Sequence, residues 1–368
     1  MAEEIKDSPR AEAERTMTIC NACRYCEGLC ATFQAMTLRR AFAAADLDYL
    51  ANLCHNCMAC YHGCQYAPPH SFDLNVPMTL AELRVDTYQR YAWPGFMARL
   101  FERNGLVVSL AIATSIALVF ALLFAYQDPA VLFSRHTGPG AFYEVVGHNV
   151  MVGVAGATFG FSVLALVIGF LRFWNSTTSG TRAKLSIGAW VGALRNTATL
   201  KYLGGEQGEG CNTEDERWSN QRRYFHQFTM WGFVLSFAST SVATIYHYGI
   251  GAMAPYPHFS LPVLLGAIGG VGLLVGPAGL LWLKIRSDSR PANVSRFGMD
   301  YAFLAELFLI SLTGMLLLAL RETAAMGLLL AVHLGFVLAL FVTLPYSKFV
   351  HAIYRFAALL RFAAERHK

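Results

Sequence analysis

The sequence predicts a mainly α-helical protein in two parts, a helical, cysteine-rich N-terminal domain and a bundle of six transmembrane helices behind it. Three observations predict this. Eight cysteines crowd into two short runs, Cys20, Cys23, Cys26 and Cys30, then Cys54, Cys57, Cys60 and Cys64. Six apolar stretches follow, each long enough to cross a bilayer. Charged residues are only 14% of the 368-residue chain and hydrophobic residues 55%, against about 25% charged in ordinary soluble domains. The deficit of charge is a surplus of lipid-compatible surface.

Residues 1–15, "MAEEIKDSPRAEAER", read as a polar tail. They lack the apolar core of a secretory signal, which keeps the N-terminal domain in the cytoplasm. Residues 16–92 form the cysteine-rich domain. Its middle, "TLRRAFAAADLDYLANL" (37–53), has apolar residues at three and four spacings, which favours a helix. An amphipathic stretch then leads to the bilayer, where Trp93 suits the interface. About 20 apolar residues cross a ~30 Å core, and the candidate spans run over 105–126, 148–171, 227–248, 260–283, 301–320 and 326–344. The expected divisions are a linker with spans one and two (93–172), a loop (173–225), a four-span bundle (226–350) and an amphipathic basic tail (351–368).

Loop charges set the expected orientation. The stretch 172–225 carries Arg172, Arg182, Lys184, Arg195, Lys201, Arg217, Arg222 and Arg223. The stretch 284–300 carries Lys284, Arg286, Arg290 and Arg296, and the end of the chain Lys348, Arg355, Arg361, Arg366 and Lys368. The opposite loops carry only Arg135 and Arg321. The positive-inside rule puts both termini in the cytoplasm, in a multi-pass protein of a bacterial-type inner (plasma) membrane. No nucleic-acid module is visible, and the basic residues lie mostly between spans, so nucleic acid is set aside as a partner. The pairs Gly156/Gly160 and Gly272/Gly276 lie within spans. They lack the strand–turn–helix setting of a nucleotide site and are expected at close helix contacts.

Both cysteine runs have the form C-x2-C-x2-C-x3-C. In bacterial two-cluster ferredoxins the first three cysteines hold one cubane and the fourth ligates the other. On that pattern Cys20, Cys23, Cys26 and Cys64 hold one 4Fe–4S cluster, and Cys54, Cys57, Cys60 and Cys30 the second, in a helical ferredoxin-like domain. Disulfides do not suit a reducing cytoplasm. Structural zinc favours two separated cysteine pairs, and c-type haem needs C-x-x-C-H, which does not occur. Ala31 and Gln65 replace the usual proline after the fourth cysteine. Cys211 reads as a solitary loop thiol, and Arg24, Arg39 and Arg40 as solvated charges available to a docking partner.

Ionisable residues inside a membrane are costly and usually functional. His226 opens span three, His247 closes it, His333 lies early in span six, and His351 follows its end. His333 and His351 are roughly five helical turns apart and so share a face. With spans three and six antiparallel, His226 and His351 fall on the cytoplasmic side and His247 and His333 on the outer side. Two cross-helix histidine pairs are what bis-histidine b haems require, one or two in number. His148, opening span two, is the reserve ligand; His55, His62 and His70 are expected to cover or tune the clusters.

The stretches "NACRYCEGLCATFQAM", "LCHNCMACYHGCQYAPPHSFDLNVP", "HQFTMWGFVLSFASTSVATIYHY" and "HLGFVLALFVTLPYSKFVHAIYRF" resemble the tricarballylate/citrate-utilisation protein B family over nearly the whole chain. The C-terminal part also resembles the membrane half of some fused cobalamin-pathway proteins. The family resemblance implies electron transfer from a cytosolic flavoprotein dehydrogenase, oxidising tricarballylate or a similar tricarboxylate. The route runs through two 4Fe–4S clusters and b-type haem to the membrane quinone pool. The eight cysteines carry over directly; the histidine pairing comes from topology. The rival readings are a heterodisulfide-reductase-like or cobalamin-pathway redox subunit and a tricarboxylate transporter. The transporter gives eight cubane-spaced cysteines no role and asks for repeats that are not visible.

Overall fold

The computed structural model describes residues 8–179, 185–205, 208–294 and 297–366. Arg182, Lys184, Arg296 and Lys368, counted above among the loop charges, lie outside these residues, as does the start of the polar tail. The N-terminal domain contains α1 (Pro9–Cys23), α2 (Ala31–Met36), α3 (Ala44–Leu53), α4 (Ala59–His62) and α5 (Val76–Tyr91). Then come α6 (Gly95–Leu100), α7 (Asn104–Tyr126), α8 (Ala141–Val145), α9 (His148–Thr178) and α10 (Ile187–Ala198). The chain closes with α11 (Gln221–Ile250), α12 (Leu261–Arg286), α13 (Phe297–Leu320), α14 (Met326–Thr343) and α15 (Val350–Arg366). No strand occurs among the described residues, only an isolated bridge from Cys211 to Ser219.

Local chemistry starts these helices. The Ser8 hydroxyl accepts from Ala11 N at 3.1 Å ahead of Pro9, and Asn75 caps α5 by accepting from Met78 N at 3.2 Å, each satisfying an orphan N-terminal donor. The segment expected as a polar tail is therefore helical from Pro9 on, with Ala13 buried. The helix expected over 37–53 is confined to Ala44–Leu53. Tertiary contacts break its first part: Phe42 is buried, and the Arg39 side chain turns inward to Asp46 (2.7 Å) and Glu365 (2.7 Å). Arg39 is thus a structural cation, not a docking charge.

Among the described residues, six helical segments are long and apolar enough to cross a membrane: Gly95–Tyr126, His148–Thr178, Gln221–Ile250, Leu261–Arg286, Phe297–Leu320 and Met326–Thr343. α14 sits centrally, packed on α7, α9 and α13, while α12 bridges α13 to α11. α11 and α12 approach through glycines. A Cβ at Gly232 would come within 2.9 Å of the Gly269 carbonyl, and Gly272 within 2.9 Å of that of Phe228. Gly276 lies in the same seam, whereas Gly156 and Gly160 face open space. Close packing holds for the second glycine pair only.

α15 is not a loose tail. It packs on α3, α9 and α10, and Ala358, Leu359, Leu360 and Phe362 share one apolar core with Leu47, Leu50 and Leu53 of α3. Arg361, 2% exposed in its side chain, lies over the Tyr49 ring at 4.1 Å and pairs with Asp46 (3.0 Å) and Glu365 (2.9 Å). Asp48 of α3 meets Arg90 at 2.6 Å and Tyr91 Oη at 2.7 Å, and Tyr91 in turn reaches Ser176 of α9 at 2.9 Å. The cysteine-rich domain is thereby fixed to one end of the bundle, the nest end.

Candidate metal centres

The C-terminus of α1 presents Cys20 and Cys23. Arg24, at φ 57°, ends the helix in the left-handed region and sends its N–H back to Cys20 O at 2.8 Å, which turns the chain so that Cys26 returns beside them. The thiols acting electrostatically on Cys20 are Cys26, Cys64 and Cys23; on Cys26 they are Cys64 and Cys23, then Cys57. Burial, followed by this crowding of sulfurs, pushes Cys20 and Cys26 up to about 12.

Cys54 ends α3, and Asn56 and Met58, both at positive φ, fold the chain so that Cys57 and Cys60 point back toward it. Cys30 opens α2 in an extended conformation. Its sulfur neighbours are Cys57 and Cys54, and those of Cys60 are Cys57, Cys54, Cys26 and Cys30. Cys30, Cys54, Cys57 and Cys60 line one cavity with Phe33, Val76, Leu80 and Tyr202. The structure therefore groups Cys20, Cys23, Cys26 and Cys64 in a first nest and Cys30, Cys54, Cys57 and Cys60 in a second.

Among the described residues, no three His, Cys, Asp or Glu side chains converge as on a single metal ion. A lone tetrahedral ion at ~2.3 Å from each sulfur would need thiolates about 3.8 Å apart, whereas each thiolate of a cubane meets its own iron. The crowded sulfurs of the two nests form donor sets that a cationic iron–sulfur core satisfies. Backbone N–H groups already point at two of them, Asn56 N to Cys54 Sγ and Tyr66 N to Cys64 Sγ, each at 3.4 Å.

Three guanidinium groups enclose the second nest. Arg84 donates to Cys54 O at 2.6 Å, Arg355 to the same carbonyl at 2.8 Å, and Arg222 to Asn56 O at 2.5 Å and His55 O at 3.3 Å. Burial, with the Arg84 charge next, lowers Arg355 to about 10, so an anion in the nest has cations waiting for it. His55 is buried, bonded through Nδ1 to Leu53 O at 2.8 Å, which makes it a wall of the nest.

Cys211 was invisible to sequence reasoning as part of this site. The loop after α10 folds back so that Asn212 N donates to Cys57 O at 3.0 Å. Cys211, fully buried, packs with Cys57, Leu200 and Leu203. The Cys211 thiol donates to Leu203 O at 3.3 Å and packs against Cys57; the neighbouring thiol lowers Cys57 and, with burial, raises Cys211. Gly210, at φ +107°, is required here, because a Cβ would strike the Ser219 carbonyl. A glycine-rich run just before a lone cysteine was the only sequence signal.

The histidines fall into three places. At the nest end His226 of α11 and His351 of α15 face each other with ring centroids 6.0 Å apart. His351 Nδ1 donates to Lys348 O at 2.5 Å, leaving Nε2 with its lone pair, and His226 Nδ1 is buried without a partner. Burial first, then the Arg355 charge, hold His351 well below its ordinary value and keep it neutral. Two facing imidazoles, one with an orphaned nitrogen, fit axial ligation of haem. At the far end His247 stacks on His148 at 3.9 Å and accepts from or donates to Tyr143 Oη at 3.3 Å. His333 lies deeper, bonded to Thr313 Oγ1 at 3.1 Å, with Gly314 making room for its ring. The structure thus brings His226 to His351 and His247 to His148, while His333 stands with α13.

The citrate utilization protein B family model matches residues 99–368, and the Fer4-like domain model of the same family matches residues 13–90. A protein of Escherichia coli named citrate utilization protein B is 49% identical over 364 residues, covering 99% of this chain and 94% of that protein. No solved structure matches the chain. A Fer4-like domain is an iron–sulfur module, and it sits on the two nests. The chain, a redox membrane protein with an iron–sulfur domain, belongs to the citrate utilization protein B family.

Proposed function

We propose that the chain is a membrane electron-transfer protein. It passes electrons from a cytosolic flavoprotein dehydrogenase, one that oxidises tricarballylate or a similar tricarboxylate, through two 4Fe–4S clusters and b-type haem to the quinone pool. The clusters and haem supply one-electron chemistry at graded potentials. Cys20, Cys23, Cys26 and Cys64 are assigned to one cluster, and Cys54, Cys57, Cys60 and Cys30 to the other. His226 and His351 are assigned to a haem near the nests, and His148, His247 and His333 are the donors for a second.

One observation carries this reading. Arg222 and His226 are a turn apart on α11, as are His351 and Arg355 on α15. Both arginines grip carbonyls of the second nest, and both histidines meet beneath it. Two helices thus connect the second nest directly to a candidate haem site. The first nest has intermediate exposure at Cys20, Cys23, Cys26 and Cys64, which makes it the entry side for a docked partner. The loop charges support an orientation with both termini and the nests on the cytoplasmic side of a bacterial-type inner membrane.

The test is a reduced-minus-oxidised visible spectrum of the purified protein, with iron and acid-labile sulfide assays, repeated with a quinol analogue as reductant. The expected result is a b-type band, about eight non-haem irons per chain and reduction by quinol. A colourless protein with zinc and no sulfide would overturn the reading. A reporter fused after residue 368 that is active only outside the cytoplasm would overturn the orientation.

A further inference from the structure

We infer that Cys211 is a positioning residue for the second cluster: its thiol donates a hydrogen bond to the Cys57 sulfur and thereby raises that cluster's reduction potential. The inference rests on the reading of the nests as cluster sites and assigns a role to the ninth cysteine, which the ligand count leaves over.

The geometry begins with the loop. The 3-10 turn Lys201–Leu203, the bridge of Cys211 to Ser219 and the bond from Asn212 N to Cys57 O hold Cys211 against the nest. The residue has no exposed surface. Its sulfur donates to the Leu203 carbonyl at 3.3 Å and packs beside a second acceptor, the Cys57 sulfur. A thiol has one proton to give. With Cys57 as a neutral thiol the carbonyl competes well; with Cys57 as a metal-bound thiolate, the anionic acceptor wins, because charge-assisted bonds are roughly twice as strong. Burial among Leu200, Leu203 and Met230 keeps water from competing and strengthens the bond further.

The effect on potential has a definite sign. One-electron reduction adds negative charge to the cluster and its thiolates, so a donor aimed at a ligand sulfur stabilises the reduced form more than the oxidised form. Among the described residues, the first nest receives a backbone N–H at Cys64 and no cysteine packs against it as Cys211 packs against the second. Cys211 therefore acts on one cluster selectively.

The test uses the full-length protein in lipid nanodiscs, with dithionite as reductant and both clusters followed by electron paramagnetic resonance. In Cys211→Ala one cluster becomes harder to reduce by roughly tenfold in its equilibrium, ~59 mV for a one-electron couple, and the other does not move. Cys211→Ser, whose hydroxyl still donates, restores most of the shift and keeps the iron content. Redox-difference infrared spectra of the unmodified protein supply a readout that needs no variant. An S–H stretching band shifts on cluster reduction and is absent in Cys211→Ser. Unchanged midpoints in both variants would overturn the proposal. Loss of iron in both would show Cys211 to be a ligand and overturn it too, as would an S–H band insensitive to reduction. Absence of iron and sulfide from the unmodified protein would instead overturn the cluster reading itself.

Discussion

His226 and His351 face each other across two helices with ring centroids 6.0 Å apart, and each stands one turn from an arginine that holds the second cysteine nest. Removing either imidazole leaves the partner alone on an axial site. His226→Ala and His351→Ala are expected to lose the same b-type component from the difference spectrum while keeping iron and sulfide. His148→Ala, at the other end of the bundle, is expected to retain it. If both nest-end variants kept full haem, the ligand assignment would fail.

Arg361 fixes the nests to the bundle. It is buried against Tyr49, with Asp46 and Glu365 on its nitrogens and the Thr177 carbonyl of α9 below. Arg361→Met preserves the stem but leaves Asp46 and Glu365 to share the single cation of Arg39. Breaking a buried pair costs roughly 3–5 kcal/mol. The expected outcome is faster trypsin cleavage between residues 30 and 50 with the membrane part intact, read by mass spectrometry.

At the nest end Asp300 takes Lys284 at 2.7 Å and Lys348 at 2.8 Å. Asp300→Asn leaves two facing ammonium groups without a counter-charge. Thermal unfolding in detergent is expected to show a loss of roughly 3–5 kcal/mol. Asp300→Glu recovers part of it, and a variant as stable as the parent would show the triad to be solvated.

The loop between α7 and α8 carries a pH-dependent contact. His136 reaches Val131 O at 2.9 Å and Glu144 at 2.5 Å. The Val131 carbonyl, then Glu144 against desolvation, raises its pKa. A raised histidine stabilises the fold fully below its unfolded value, about 6.5, and loses that contribution as pH climbs through the folded value. Hydrogen exchange at amides 129–136, corrected for intrinsic rate, is expected to quicken as pH climbs above about 6.5. His136→Gln removes the pH dependence.

What the sequence shows and hides follows from the range of each interaction. Six spans are legible because each one carries its own apolar length, and the two cysteine runs because their spacing is local. The break before Ala44 is not legible, since Arg39 leaves the helix for Glu365 at the far end of the chain. The stacking of His148 on His247 depends on how α9 and α11 meet, and helical phase within one segment carries no information about its neighbour. Cys211 is hidden for the same reason: its partner lies in a different domain, and only Gly210 marks the fold that brings them together.

The arginines around the second nest act on the same cluster as Cys211 but through net charge. Arg84 is the most informative of them, because it sits on α5, away from the histidines, 6% exposed, with its guanidinium on Cys54 O. At an effective dielectric near 20, a cation beside an anionic cluster contributes on the order of 1–2 kcal/mol to its reduced state. Arg84→Met is therefore expected to lower one midpoint by about tenfold or somewhat more in equilibrium, with haem spectra unchanged. Because the charge is buried, the shift is expected to persist at high salt. Arg15→Met, which removes a partly exposed cation paired with Glu12, is expected to move neither cluster. Equal shifts of both clusters in Arg84→Met would mean that the charge acts on the domain as a whole, and the asymmetry between the nests would then lose its electrostatic basis.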